Sequence, residues 1–234
     1  LTSGLRINQS GDDAAGLAVA NGHRSTVAVL TQGVRNANDG LSTLQIKDGA
    51  LNNISNLLDR LATLATQSAS ASSSVNRTTL DNEFQDVLTE IDREANVAGL
   101  TSSAGFSVFV SSNGSNGTVG GTIGAADSTG LSLNGLDITT DTNAAAALTS
   151  ITAAVTALGD VQGAVGTIEN RLGYAISLAQ SQIVNTKAAE SRIRDANIAE
   201  ESSNLTRYQI LNQSGIAVLS QANQSSSAVL SLLR

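Results

Sequence analysis

Apolar residues recur along most of this chain at alternating spacings of three and four, and no proline interrupts them. A repeat of 3.5 residues places these side chains on one seam of an α-helix, where a second helix packs in coiled-coil fashion. The phase of the repeat slips after Asp48, where two steps of three follow each other. The residues predicted to pack along the helix seams are Leu30, Val34, Leu41, Leu44, Leu58, Val165, Ile168 and Leu172.

The first third of the chain predicts one long helix followed by a short one. The repeat supports a helix from about Asp13 to about Ser68. The Ser- and Ala-rich stretch 70–76 then reads as a turn. Thr78 or Thr79 is suited to cap a second helix that ends near Asn96.

Residues 97–143 differ in composition from the rest of the chain. They are rich in Gly, Ser, Thr and Asn and contain short bursts of alternating apolar residues. Alternation with a period of two, bounded by Gly and Asn, predicts short β-hairpins. The alternating residues are Phe106, Val108 and Val110, then Leu131 and Leu133.

A second very long helix is predicted from a cap at Asp141 or Thr142, because the seam then continues as far as Ala196. A final helical segment spans about Ser203 to Leu233. The two halves of the chain should fold back on each other. The predicted fold is mainly α, a long antiparallel coiled-coil-like helical bundle with a small β-hairpin insert.

Composition excludes several classes of function. The chain carries 13 Lys and Arg against 20 Asp and Glu, a net charge of −7, which argues against a nucleic-acid partner. No run of about 18 apolar residues predicts a transmembrane helix, so no membrane insertion is expected. With no cysteine, one histidine and no phosphate-binding or zinc-binding motif, we expect neither an enzyme nor a cofactor or metal protein.

Three long segments resemble bacterial flagellins. They are LTSGLRINQSGDDAAGLAVA (Leu1–Ala20), NANDGLSTLQIKDGALNNISNLLDRLATLATQSAS (Asn36–Ser70), and ESRIRDANIAEESSNLTRYQILNQSGIAVLSQANQSSSAVLSLLR (Glu190–Arg234). They stand in the family's order, and together with the helix at Leu80–Glu94 they cover more than half the chain.

The resemblance implies a structural subunit that polymerises into the flagellar filament used for swimming. The family pairs its two terminal helices in an inner domain, D0, and packs a second domain, D1, in the outer tube. The implied divisions are 1–13 as the D0/D1 spoke, 14–96 as D1 N-terminal helices, 97–143 as a short variable insert, 144–191 as the D1 C-terminal helix and 192–234 as the C-terminal D0 helix.

The resemblance also implies that most of the N-terminal D0 helix lies outside this sequence. The C-terminal D0 helix would then expose its apolar stripe or lend it to a neighbouring subunit. Since the first residue is Leu1 rather than Met, we expect a fragment or a processed form.

The implied location is extracellular, in the flagellum, after export through the flagellar channel without a cleaved signal peptide. The implied partners are other copies of the chain, a flagellar export chaperone, and the cap and junction proteins.

Many members of the family are ligands of Toll-like receptor 5 through the D1 helices. The segment DRLATLATQ (Asp59–Gln67) is similar to the receptor-binding motif, although Ala62 and Thr63 depart from it. The residues that match, including a Glu on the second helix, are Arg60, Leu64, Gln67 and Glu90. The structural alternative is that Leu64 packs in the protein and Arg60 is a solvated charge.

Two other functions stay open from the sequence. A hook–filament junction protein shares terminal coiled-coil features, although the density of the D1 match favours a filament subunit. A polysaccharide-binding module would use 97–143, but that insert lacks the aromatic residues on which sugars stack.

Overall fold

A computed structural model describes residues 3–70, 76–111 and 117–232, with side-chain detail as far as residue 222. Within this part the elements are α1 (Ala14–Ala69), α2 (Arg77–Val97), β1 (Ala104–Phe109), β2 (Thr118–Ile123), α3 (Asp141–Arg194) and α4 (Ile198–Leu232). The mainly helical fold with a small hairpin insert is therefore confirmed. The predicted turn at 70–76 is described only at Ser70, a bend, and at Asn76, a turn; 71–75 lie outside the described residues.

The chain forms two compact units. One consists of Leu1–Ser25 with Val184–Arg234, and the other of Thr26–Ile183. Both α1 and α3 contribute residues to both units.

The core of Thr26–Ile183 is a continuous cluster of Leu, Ile, Val and Ala from α1, α2, α3 and the insert. Of the eight seam residues, Leu30, Leu44, Leu58, Val165, Ile168 and Leu172 are buried, and Val34 and Leu41 are half-buried. Small apolar side chains allow close helix approach, and their long seams compensate for the small area that each one buries.

Within this unit α1 and α3 pack in opposite directions. A Cβ placed on Gly40 of α1 would lie 3.7 Å from Leu172 Cδ1 of α3. Farther along α1, Asp48 acts electrostatically on Glu169, which precedes Leu172 in α3. Because the order of partners reverses between the two helices, the pair is antiparallel, as the sequence predicted.

α2 returns along α1, also antiparallel. Arg77 Nε at the start of α2 donates to the Ser68 carbonyl at 2.9 Å. Lys47 Nζ donates at the other end to the carbonyls of Ala98, at 2.6 Å, and Gly99, at 2.9 Å. Burial lowers the pKa of Lys47. One lysine thus satisfies two carbonyl groups just beyond the end of α2.

The predicted caps of α2 were wrong. The helix starts at Arg77, so Thr78 and Thr79 lie inside its first turn, and Asn76 precedes it without a side-chain capping bond. The first residue of the helix, Arg77, bonds to the Ser68 carbonyl at the end of α1. The helix ends at Val97, and Gly99 follows with a φ of +63°, the left-handed conformation that glycine tolerates.

β1 and β2 form one antiparallel hairpin, with Ala104 opposite Ile123 and Phe109 opposite Thr118. Val110, predicted as part of the strand, lies just beyond it and donates its N–H to Gly117 O at 2.7 Å. The hairpin rests directly on α1, because a Cβ on Gly33 would lie only 1.8 Å from the Val110 carbonyl oxygen. Gly33 is therefore the position where the strand end touches helix backbone.

The second predicted hairpin, around Leu131 and Leu133, was wrong. Both residues are buried in the core, but the segment is a turn with Ser132 at a φ of +58°. The turn is fixed by Ser128, whose N–H and Oγ donate to the Asp92 carboxylate at 2.7 and 2.9 Å. Burial of alternate leucines needs no partner strand when hydrogen bonds to a helix hold the turn.

α3 begins at Asp141, inside the range predicted for the insert. The cap is Thr140 rather than Asp141 or Thr142, since Thr140 Oγ1 accepts the Asn143 N–H at 3.1 Å. The helix also contains an 18-residue window of mean hydropathy 1.5, long and apolar enough by composition alone to cross a membrane. Of that window 33% is buried within the protein, and the α3 seam lies in the hydrophobic cluster, so length and composition do not by themselves place the helix in a membrane.

The predicted start of the last helical segment was also wrong. α4 begins at Ile198 rather than near Ser203, and the preceding helix α3 ends at Arg194. The seam that the sequence extends to Ala196 is interrupted at Asp195–Asn197, which lie between the two helices.

Candidate assembly and recognition surfaces

The four residues similar to the receptor-binding motif lie on α1 and α2, but they differ in accessibility. Leu64 is 1% exposed and belongs to the core, so it cannot contact a partner directly in this conformation. Gln67 is exposed and Glu90 half-buried. The structural alternative for Leu64, packing, describes its position.

Arg60 is exposed and forms an ion pair with Glu83, a residue of α2 that the sequence did not indicate. Arg60 Nε donates to Glu83 Oε1 at 2.9 Å, and its Nη2 makes a second bond to the same oxygen. Two nitrogens on one carboxylate fix the orientation of the guanidinium. The ion pair between Arg60 and Glu83 could not be predicted from a single sequence, because it depends on the register between α1 and α2.

Glu90 forms its hydrogen bonds within its own helix rather than with Arg60. Its two carboxylate oxygens accept from Arg93 Nε at 2.8 Å and Nη2 at 2.6 Å. The hydrogen bonds from Arg93 lower the pKa of Glu90. Given the antiparallel register, Gln67, Arg60 and Glu90 extend along the α1–α2 pair over about 20 Å at 1.5 Å per residue.

A different surface is formed by α4. Its large apolar side chains are exposed: Ile198, Leu205, Tyr208, Ile210, Leu211, Ile216, Val218 and Leu219. At 100° per residue, all except Ile210 fall on about half of the helix circumference. We call this side the α4 apolar face. Contiguous exposed apolar area of this kind marks an interaction surface.

An acidic pair lies at the packed surface between α1 and α3. Glu169 Oε1 is buried without a hydrogen-bond partner. Burial, and secondly the charge of Asp48, raises the pKa of Glu169 above its ordinary value. Both carboxylates lie where the seam of α1 changes phase.

We expect the stability of the protein to fall as the pH rises through the pKa of folded Glu169. Because the folded-state pKa of Glu169 is raised, its contribution to stability is complete below the ordinary pKa near 4.5 and is lost as the pH rises from there through the folded-state pKa. Glu169→Gln should stabilise the protein at neutral pH and flatten this part of the curve of unfolding free energy against pH.

Urea unfolding between pH 4 and 8 measures this dependence, with Asp160→Asn, an exposed acid of the same helix, as the control. If Glu169→Gln and Asp160→Asn change the curve equally, Glu169 is not the group responsible.

The first residues of the chain pair with the end of α3. Leu5 and Asp195 form an isolated antiparallel bridge. The Arg6 N–H donates to the Arg194 carbonyl at 2.7 Å, and the Ala196 N–H donates to the Gly4 carbonyl at 2.9 Å. Both partners belong to the same compact unit.

Among the described residues, no group of three His, Asp or Glu side chains could hold a metal ion.

Comparison with known proteins agrees with these features. A family model of the bacterial flagellin N-terminal helical region matches residues 1–112, and one of the C-terminal helical region matches 148–233. A flagellin of Halalkalibacterium halodurans is 37% identical over 100% of this chain and 89% of its own length. Flagellin FlaB1 of Treponema pallidum is 34% identical over 100% of this chain and 90% of its own.

Among solved structures, the crystal structure of Bacillus cereus flagellin aligns with a TM-score of 0.52 and 28% identity. The alignment covers 67% of this chain and 94% of that one. With two matching family models and relatives above 30% identity along its whole length, the chain belongs to the bacterial flagellin family.

Proposed function

We propose that this chain is a structural subunit that polymerises into the bacterial flagellar filament. The observation that carries the proposal is the α4 apolar face, whose large side chains are exposed among the described residues. Burying one large apolar side chain contributes about 1.5–3 kcal/mol, so the seven residues of the face favour association strongly. Contacts between different patches of identical subunits generate a helical polymer when they do not close into a ring.

The matches to known proteins favour a filament subunit over a hook–filament junction protein. Both family models and the relatives named above are flagellins, and the relatives align with the whole chain. One of the other relatives, from Treponema phagedenis, is named a flagellar filament core protein. The role is structural rather than enzymatic.

Family membership also supports the division into domains. In this proposal 14–96 and 144–191 belong to the outer-tube domain D1 and 192–234 to the inner domain D0. The chain would leave the cell through the flagellar export channel and meet an export chaperone and the cap and junction proteins. Filaments sheared from cells that express the chain should contain it as a major protein by peptide mass spectrometry, and filaments without it would contradict the proposal.

Recognition by Toll-like receptor 5 is a second proposed role, supported by the exposed part of the motif. Arg60 presents a guanidinium already oriented by Glu83, and such preorganisation lowers the entropic cost of binding. Gln67 lies two helical turns away on the same face of α1. Leu64 supports the helix from the core side and is not itself a contact.

We expect Arg60→Ala to weaken receptor binding by about tenfold or more, since an arginine at the centre of an interface often contributes over 1 kcal/mol. Surface plasmon resonance with the receptor ectodomain measures this loss. Arg24→Ala, at another exposed arginine of α1, is the matched control.

Glu83→Gln distinguishes the contribution of the Arg60 guanidinium to receptor binding from that of its ion pair with Glu83. It removes the carboxylate but keeps Arg60, so binding should fall less than in Arg60→Ala. If Arg60→Ala binds the receptor with unchanged affinity, the α1–α2 surface is not the recognition site.

A further inference from the structure

Residues Asp195–Asn197 separate α3 from α4, although none of them is a glycine or a proline, the residues that most often end a helix. No glycine or proline occurs between Gly173 and Gly215. Asn197 and Glu200 suit the start of a helix, which lowers the cost of beginning α4. They do not explain why α3 stops at Arg194, because Asp195 and Ala196 are compatible with a helix.

The N-terminal residues occupy the carbonyls that a continuous helix would use. In such a helix the Ile193 and Arg194 carbonyls would accept the N–H groups of Asn197 and Ile198. Here the Arg6 guanidinium donates to the Ile193 carbonyl at 3.1 Å. The Arg6 backbone N–H donates to the Arg194 carbonyl at 2.7 Å. Both acceptors are thus satisfied from outside the helix.

The same segment also holds the residue after the break. The Ala196 N–H donates to the Gly4 carbonyl at 2.9 Å, and Leu5 bridges Asp195 in an extended pairing. The reciprocal bonds between Gly4–Arg6 and Arg194–Ala196 keep two residues of the break in a strand-like conformation. A helix and a β-bridge cannot use these backbone groups at once.

The N-terminal segment is itself well anchored. Ile7 is buried, and its Cδ1 would lie 2.8 Å from a Cβ placed on Gly16 of α1. Asp12 Oδ2 accepts the backbone N–H groups of Asn8 and Gln9, both at 3.0 Å. Gly4 has a φ of +68°, a conformation that suits glycine and that other residues rarely adopt.

We propose that the segment Gly4–Ile7 is a clamp that ends α3 by capping its last carbonyls from a distant part of the chain. The break between α3 and α4 exists because the clamp competes with intrahelical hydrogen bonds. When the clamp opens, the helix propagates through Asp195–Asn197. This inference concerns the folding of the single chain and does not depend on filament assembly.

The double variant Gly4→Val/Arg6→Pro opens the clamp. Valine is strained at a positive φ, and proline removes the N–H that caps Arg194. We expect the ¹³Cα chemical shifts of Asp195, Ala196 and Asn197 to move from non-helical to helical values. In the control Gly11→Val/Ser10→Ala the clamp residues are unchanged and the Cβ position of Gly11 is open, so the shifts should stay non-helical.

Hydrogen exchange of the unmodified chain is an independent measurement if the double variant does not fold. The Arg6 and Ala196 amides should be protected by about tenfold or more and should open together, because they belong to one contact. Non-helical shifts in the folded double variant, or an unprotected Ala196 amide in the unmodified chain, would overturn the proposal.

Discussion

Tyr208→Asp/Leu219→Asp, introduced together into the chromosomal gene, is expected to leave cells without filaments and unable to swim. The two side chains are 67% and 66% exposed in the single chain, and their eleven-residue spacing places them on one side of α4. In the proposed filament this side is covered within the inner domain, by the paired terminal helix or by neighbouring subunits. Two carboxylates buried there without partners would cost several kcal/mol each, more than the apolar contact contributes.

The matched control is Ser203→Asp/Ser214→Asp, which adds the same charge at the same eleven-residue spacing on the opposite side of α4. Filaments counted by negative-stain electron microscopy should be absent only in the first variant. Circular dichroism of both purified chains checks that the helices remain. Normal filaments in Tyr208→Asp/Leu219→Asp would show that the α4 apolar face is not an assembly surface.

Gly33→Ala is expected to destabilise the protein by about 3 kcal/mol, at the upper end of the usual cost of overpacking. The added Cβ would lie 1.8 Å from the Val110 carbonyl oxygen and 2.5 Å from its carbon. These are backbone atoms, so no side-chain rotation can relieve the overlap, and the hairpin must move away from α1. For a chain of this size the loss corresponds to a Tm lower by roughly 6–12 °C.

Gly49→Ala is the control, in the same helix. The space around Gly49 is open, and alanine is the better helix former by about 0.5–1 kcal/mol, so this variant should be more stable than the unmodified chain. Differential scanning calorimetry compares the three proteins. Equal stability of Gly33→Ala and Gly49→Ala would mean that the hairpin does not rest on α1 at Gly33.

Much of the helical architecture was predictable because burial follows the heptad pattern. Leu44 and Leu172 lie in the core, as a 3.5-residue seam requires. α1 begins and ends within a residue of its expected bounds, and one hairpin occurs where alternation surrounds Phe106 and Val108.

Features that depend on distant partners were not predictable. Leu131 and Leu133 alternate like strand residues, but Asp92 holds their segment in a turn. The end of α3 has no local signal, because its capping donors come from the start of the chain.

The proposed recognition surface shows the same limit. Sequence similarity pointed to Leu64 together with Arg60, but only the register of α1 against its neighbours decides which faces inward. Glu83, the partner of Arg60, was missed for the same reason. A single sequence shows the periodicity of a helix, but it does not show which side chains of that helix face a neighbouring element.

Cryo-electron microscopy of filaments from cells that express this gene tests the filament proposal most directly. We expect a helical polymer of this chain in which Tyr208 and Leu219 are buried in the inner part of the filament, while Leu30 and Val165 remain within the core of each subunit. A filament built from this chain with the α4 apolar face open to solvent, or one that does not contain the chain, would contradict it.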